Sequence, residues 1–135
     1  LYYVKEERPL IRTKQRELIK NAIMESNTHP TADELFQEIR IKLPTISLAT
    51  VYRNLNMLAS DGVIRKIQMP DMPDRFDWRI TVHDHLYCEK CGKVFDFTLP
   101  EALDEQIEQV SGMKVKQYSL VAIGICNDCM QHEQN

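Results

Sequence analysis

Two Cys-x-x-Cys pairs, Cys88/Cys91 and Cys126/Cys129, hold all four cysteines of the chain, with thirty-four residues between the inner ones. A Cys-x-x-Cys turn presents two sulfurs from one tight loop, and Zn²⁺ takes four such donors in a tetrahedron. The two pairs therefore predict a structural zinc site that ties the strand before Cys126 back to the hairpin holding Cys88. The competing use, a redox pair of thioredoxin type, wants one pair at a helix start after a strand, not two pairs. A disulfide framework is also disfavoured, because the opening LYYVKEERPLIRTKQ lacks the long apolar core of a signal peptide. The chain starts without Met, so residues upstream are expected.

The first pair lies inside HDHLYCEKCGKVFDF, residues 83–97. His83 and His85 are two apart, so on a strand they face one way, and Cys88 has the opposite parity. Histidines and cysteines are therefore expected to serve separate sites. A hairpin centred between Glu89 and Lys90 would set Asp96 across from residues 83–84, on the histidine face. Two imidazoles and a carboxylate suit Fe²⁺, Mn²⁺ or Zn²⁺. Asp77 in RFDW and His29 in HPTAD are remote candidates. Taken alone, His29 reads as an ordinary loop histidine, and His132 reads as a solvated residue of a polar tail.

A length of 135 residues allows one domain or two small ones. No run approaches the ~18 apolar residues of a membrane span. The net charge of −3 alone argues against a nucleic-acid binder, but the halves differ. Residues 1–70 hold eleven Lys/Arg against eight Asp/Glu, whereas residues 71–135 hold six against twelve. Such asymmetry suggests two modules with different partners.

Local patterning supports the division. TKQRELIKNAIMES places Leu18, Ile19, Ala22 and Ile23 on one helical face. HPTADELFQEIRIKL carries a capping box, Thr31 with Glu34. In TISLATVYRNLNMLASDG, Ser47 caps a helix whose stripe is Leu48, Val51, Leu55 and Leu58, with Gly62 as a stop. The opposite face carries Ala49, Tyr52, Arg53 and Asn56. VIRKIQM and RFDWRITV read as strands around the turn PDMPD. Three helices and a two-stranded hairpin are the order of a winged helix-turn-helix. After residue 80 follow strand, knuckle, strand, a helix in PEALDEQIEQVSG opening at Pro100 and Glu101, and a strand in KVKQYSLVAIGIC. The expected fold class is α+β, with a winged helix-turn-helix domain over 1–78 and a small α/β domain with a Cys₄ zinc site over 79–135.

HPTADELF, SLATVYRNLNML, RFD, HDHLYCEKCGKVFDF and the terminal CNDC together resemble the ferric uptake regulator (Fur) family of bacterial metal-dependent repressors. The resemblance covers nearly the whole length. It implies that the first domain binds DNA and the second dimerises, with a hinge between them and structural zinc on Cys88, Cys91, Cys126 and Cys129. It also implies a regulatory Fe²⁺ or Mn²⁺ site made of His29, Asp77, His83, His85 and Asp96, which reverses the reading of His29 taken alone. A ligand from the DNA-binding half would let the metal clamp the domains into the arrangement that fits an operator.

Within the family, peroxide-responsive members use Asp for both carboxylates of this site, as Asp77 and Asp96 do here, where iron-responsive members more often use Glu. With Fe²⁺ bound, peroxide would oxidise His29 or His85 and release the DNA. Iron-responsive members often carry a further site with histidines where this chain has Val82 and Ile125, and zinc-sensing members often place an extra Cys that is missing here. The resemblance thus favours a cytoplasmic, homodimeric, peroxide-responsive repressor, with an iron-responsive regulator of iron acquisition as the alternative.

By the same resemblance Tyr52 and Arg53 read the bases of an A·T-rich inverted repeat. Thr50, Lys14 and Arg16 belong to the same DNA surface, and Arg65 and Lys66 are further phosphate candidates. Family members usually place a basic residue two before Thr13, where this chain has Ile11 with Arg12 beside it. Two other classes stay open on the residues alone. One is a metal hydrolase on His83, His85, Asp77 and Asp96, though its acids would be used up as ligands and leave no general base. The other is a zinc-stabilised interaction module without DNA binding. Helix-turn-helix-wing order, with Tyr52 and Arg53 facing outward, separates the repressor from both.

Overall fold

Helix α1, Tyr2–Met24, contains the periodic stretch read from Thr13 onward and extends further toward the N-terminus. Lys5, Glu6, Glu7 and Arg8, all good helix formers, continue it there. The structure, a computed structural model, describes residues 2–81 and 83–133, with side chains from residue 12 to residue 132. Val82 and the side chain of Ile11 therefore lie outside the described part.

Helix α2, Ala32–Lys42, starts on the capping box expected of Thr31. The Thr31 hydroxyl accepts the Glu34 N–H at 3.2 Å, and the Glu34 carboxylate accepts the Thr31 N–H at 3.4 Å. Helix α3, Leu48–Ser60, starts at Ser47, whose hydroxyl accepts the Thr50 N–H. After the Asp61 cap, Gly62 takes a positive φ of 74°, which lets the chain leave the helix. Ile19, Ile23, Leu35, Ile39, Val51, Leu55, Leu58, Ile64 and Phe76 form one buried cluster. Strands β1, Arg65–Ile67, and β2, Arg75–Asp77, pair antiparallel, with Arg65 opposite Asp77. They are shorter than the apolar runs predicted. The ladder stops at Asp77, whose carboxylate takes the N–H of Arg79 at 2.9 Å.

The chain divides into two compact units, Leu1–Ile80 and Thr81–Asn135. In the second, β3, Asp84–Cys88, is central, flanked by β4, Val94–Phe97, and β5, Val121–Gly124. β4 runs antiparallel to β3, and β5 runs parallel to it. Helix α4, Asp104–Ser111, and helix α5, Asn127–Glu133, complete the unit.

Three expectations for this half need correction. Asp96 pairs with His85, not with residues 83–84, so the knuckle is centred between Lys90 and Cys91. There Gly92 adopts φ 75° and donates its N–H to the Cys88 carbonyl. Helix α4 begins at Asp104 rather than at Pro100, because the Leu103 N–H goes to the Tyr118 hydroxyl and the acids Asp104 and Glu105 fill the first turn. The last strand is four residues long, since only Val121–Gly124 finds a partner in β3, and α5 was not anticipated. Gly112, at φ 73°, ends α4 as expected.

Candidate metal centres and nucleic-acid interface

Cys88 ends β3, Cys91 lies in the knuckle, Cys126 directly follows β5 and Cys129 is on α5. Parallel pairing sets Cys88 beside Gly124, which delivers Cys126 to the knuckle. All four are free thiols, with sulfurs within 4.8 Å of one another. Cys88 Sγ stands 3.8 Å from Cys129 Sγ, and Cys91 Sγ stands 3.8 Å from Cys126 Sγ. A tetrahedron with Zn–S bonds of ~2.3 Å has edges of about 3.8 Å, so the four sulfurs fit that ion.

The electrostatics of the cluster also suit a cation. The Cys88 thiol is lowered to about 6, first by the backbone N–H of Cys91 and then by that of Cys126, the latter 3.3 Å from Sγ. The Cys129 thiol is pushed up to about 12, first by its hydrogen bond with Cys126 and then by burial. The cluster thus favours thiolate at Cys88, and a bound cation would draw off the protons its sulfurs share.

On the opposite parity of β3 stands His85, with His83 just before the strand. Their rings meet edge to face with centroids 4.6 Å apart. Asp96, directly across from His85 on β4, lies with Oδ1 3.4 Å from His85 Nε2 and 3.6 Å from His83 Nε2. These separations exceed a good hydrogen bond but fit the edges, about 3.4 Å, of a tetrahedron with bonds of ~2.1 Å. His83 Nδ1 is 2.6 Å from the Thr81 carbonyl. A carbonyl only accepts, so Nδ1 carries a proton, and in the neutral imidazole Nε2 is then the lone-pair donor that a metal ligand requires. His83 and His85 are both buried, whereas Asp96 is open to solvent.

The first unit holds the other two candidates side by side. His29 Nε2 lies 3.4 Å from Asp77 Oδ2, and both residues are buried. Residues 29–31 run antiparallel to β2, with Thr31 bridged to Arg75 and the Phe76 N–H donating to the Pro30 carbonyl at 2.9 Å. The Arg75 guanidinium also donates to the His29 carbonyl at 2.9 Å. Asp77 turns Oδ2 to the histidine while Oδ1 takes the Arg79 N–H. Sequence reasoning passed over Arg75. The Pro30 before the capping box, a residue at home on a sheet edge, was the signal available.

Tyr52 and Arg53 are exposed on α3, as are Ala49 and Asn56. Thr50 sits in the first turn, and its hydroxyl accepts from the Arg53 guanidinium at 3.5 Å. Lys14 is exposed, whereas Arg16 pairs with Asp61 at 3.1 Å. Lys66 reaches both Asp74 and Asn56. A cavity of about 480 Å³ is lined by Arg12, Gln15 and Arg16 of α1 and by Arg53 and Asn54 of α3. Asn54, buried and donating to the Thr50 carbonyl at 2.9 Å, was not expected on the inner stripe. His132 is exposed on α5 and hydrogen-bonded to the Asp128 carbonyl.

Comparison with known proteins places this geometry. Residues 8–123 match the sequence signature described as the Ferric uptake regulator family. The peroxide operon regulator of Bacillus subtilis (strain 168) is 38% identical over 127 residues, covering 91% of this chain and 86% of the relative. A peroxide-responsive repressor, PerR, of Staphylococcus epidermidis is 35% identical, covering 88% and 81%. Among solved structures, the Campylobacter jejuni peroxide stress regulator superimposes with a TM-score of 0.73 at 32% identity, covering 96% and 98% of the two chains. The Helicobacter pylori ferric uptake regulator, described with three functional metal binding sites, gives 0.74 at 28% identity, covering 94% and 91%.

Proposed function

The chain belongs to the ferric uptake regulator family, and on that premise we propose that it represses transcription in the cytoplasm as a metal-dependent homodimer that responds to peroxide. Membership of a family of regulators replaces the hydrolase and interaction-module readings. In this reading residues 1–78 bind DNA and residues 79–135 dimerise. Cys88, Cys91, Cys126 and Cys129 hold Zn²⁺, for which the tetrahedral sulfur spacing is the support. His29, Asp77, His83, His85 and Asp96 together take one Fe²⁺ or Mn²⁺. The support is that each half of the set is already paired at 3.4–3.6 Å within its own unit.

The observation that carries the peroxide assignment is that both carboxylates beside the histidines are Asp, in a chain whose relatives at 35–38% identity are named for peroxide. Bound Fe²⁺ would supply the redox chemistry. The residues of the chain orient the imidazoles: the Thr81 carbonyl fixes the His83 tautomer, and the β3–β4 register presents Asp96 to His85. One oxygen of the peroxide would enter the ring of His29 or His85 and the other would leave as water, costing the site a ligand. Tyr52 and Arg53 read an A·T-rich inverted repeat, helped by Thr50, Lys14 and Arg16. Homodimerisation is favoured by apolar side chains left in water on the second unit, among them Val110 (91% exposed), Met113 (70%) and Ile123 (51%).

The test loads the zinc-containing protein with Fe²⁺, adds peroxide, and follows intact mass and operator binding together. One added oxygen on the peptide holding His29 or His85, with DNA released, is the expected result. Release by chelation alone, with mass unchanged after peroxide, would transfer the chain to the iron-responsive branch.

A further inference from the structure

We infer that Arg75 is a positioning residue for His29, and through it for the regulatory metal; the inference rests on the site reading just given. Segment 29–31 lies antiparallel alongside β2, joined to it by an isolated bridge at Thr31. Thr31 is bridged to Arg75, and Phe76 donates to Pro30, so the next step of the same register sets His29 opposite Asp77. In an antiparallel ladder such a pair lies at a non-hydrogen-bonded position, where side chains approach most closely. The 3.4 Å between His29 Nε2 and Asp77 Oδ2 follows from that register.

At Pro30 the main chain supplies only half of an ordinary antiparallel pair. Pro30 has no N–H to return to Phe76, so this pair makes one bond where it would ordinarily make two. The Ser26 hydroxyl donates to the Thr28 carbonyl at 2.7 Å, which folds the preceding loop on itself without tying it to β2. Arg75 replaces the missing bond from the side: its guanidinium reaches the His29 carbonyl at 2.9 Å, beside the bridge between Thr31 and Arg75. Arg75 and Asp77 share one face of β2, and Phe76 between them fills the core on the other. The face that offers the carboxylate thus also carries the group that fixes its partner histidine.

The arrangement joins sensor and wing in one ladder. Asp77 pairs with Arg65 of β1 on one side and faces His29 on the other. Fixing His29 therefore stiffens the wing strands directly, within the first unit.

Arg75→Met keeps the aliphatic stem and removes the donor, and Arg75→Lys keeps charge and a donor. With zinc bound, Mn²⁺ titration is compared for wild type, both variants and His29→Ala, alongside amide hydrogen exchange of Phe76, Val51 and Leu55 before Mn²⁺ is added. Arg75→Met is expected to weaken Mn²⁺ binding about tenfold, the usual scale for losing a group that orients a ligand. Phe76 should exchange faster, with Val51 and Leu55 unchanged, and Arg75→Lys should recover most of the affinity. Wild-type Mn²⁺ affinity in Arg75→Met, with His29→Ala weakened, overturns the role of Arg75 alone. Faster exchange at Val51 and Leu55 also overturns it, because the effect would then be general loosening. Unchanged affinity in His29→Ala overturns the metal-site reading and this inference with it.

Discussion

His85 and Asp96 stand directly opposite each other on neighbouring antiparallel strands, with Nε2 and Oδ1 3.4 Å apart. Strand register, not loop flexibility, brings imidazole and carboxylate together. Asp96→Ala should therefore leave the sheet intact and lower Mn²⁺ affinity by at least about tenfold. Zinc content should stay near one per chain, measured by elemental analysis. Zinc lost together with Mn²⁺ would mean that the two sites are not separate.

The zinc site should respond to pH in a defined direction. A metal ion displaces thiol protons, so uptake releases them and apparent affinity rises with pH. In the metal-free protein Cys129, held up at about 12, carries a proton at neutral pH that zinc must displace, whereas Cys88, lowered to about 6, is protonated only as the pH falls through that value. A chromophoric chelator should strip zinc progressively faster as pH falls toward 6 and below. Release that is flat across this range would contradict the assignment of thiolate ligands.

Removing the zinc, or replacing Cys126 with Ser, should cost the second unit its cooperative melting. Among its described apolar residues only Cys88 is fully buried, so the unit has little core to fall back on. The first unit, with its own buried cluster, should keep its helical signal. Circular dichroism together with calorimetry separates the two, and one unchanged melt after chelation would refute this.

On α3, inside and outside can be separated by two substitutions. Leu55 is fully buried, so Leu55→Ala should destabilise the first unit by about 2–5 kcal/mol. Arg53 is exposed, so Arg53→Ala should leave the melting temperature in place and weaken operator binding by about 1–3 kcal/mol. Lys14→Ala should instead lower the salt dependence of binding by about one counterion. Fluorescence anisotropy over a salt series reads both. Equal losses on operator and random DNA for Arg53→Ala would remove it from base reading.

Much of the first unit was legible because its signals are local. The Thr31 capping box, the Ser47 cap and the Leu55/Leu58 stripe each depend on residues within a turn or two, and each is found where the pattern put it. The two cysteine pairs were equally legible, since four soft ligands at that spacing allow few uses. The partner of Asp96 lies beyond the expected residues 83–84, at His85, because the knuckle geometry, not parity, sets the hairpin centre. Parity still put it on the histidine face. The parallel partner of β5, the helix carrying Cys129 and the bridge from residues 29–31 to β2 depend on contacts remote in sequence, which no periodicity records. Asn54 was left unassigned, since its burial is allowed by one bond to the Thr50 carbonyl that no hydrophobic pattern records.

The parallel pairing of β3 with β5 also sets an order of assembly. The β3–β4 hairpin closes over a few residues and brings Cys88 and Cys91 together early. β5 cannot join until the whole segment carrying β4 and α4 has been looped back, a closure whose entropy is met before any contact compensates for it. Cys126 and Cys129 arrive only with that last step. An ion held first by the knuckle would capture the returning strand as it docks, and would then act as a kinetic latch as well as a staple.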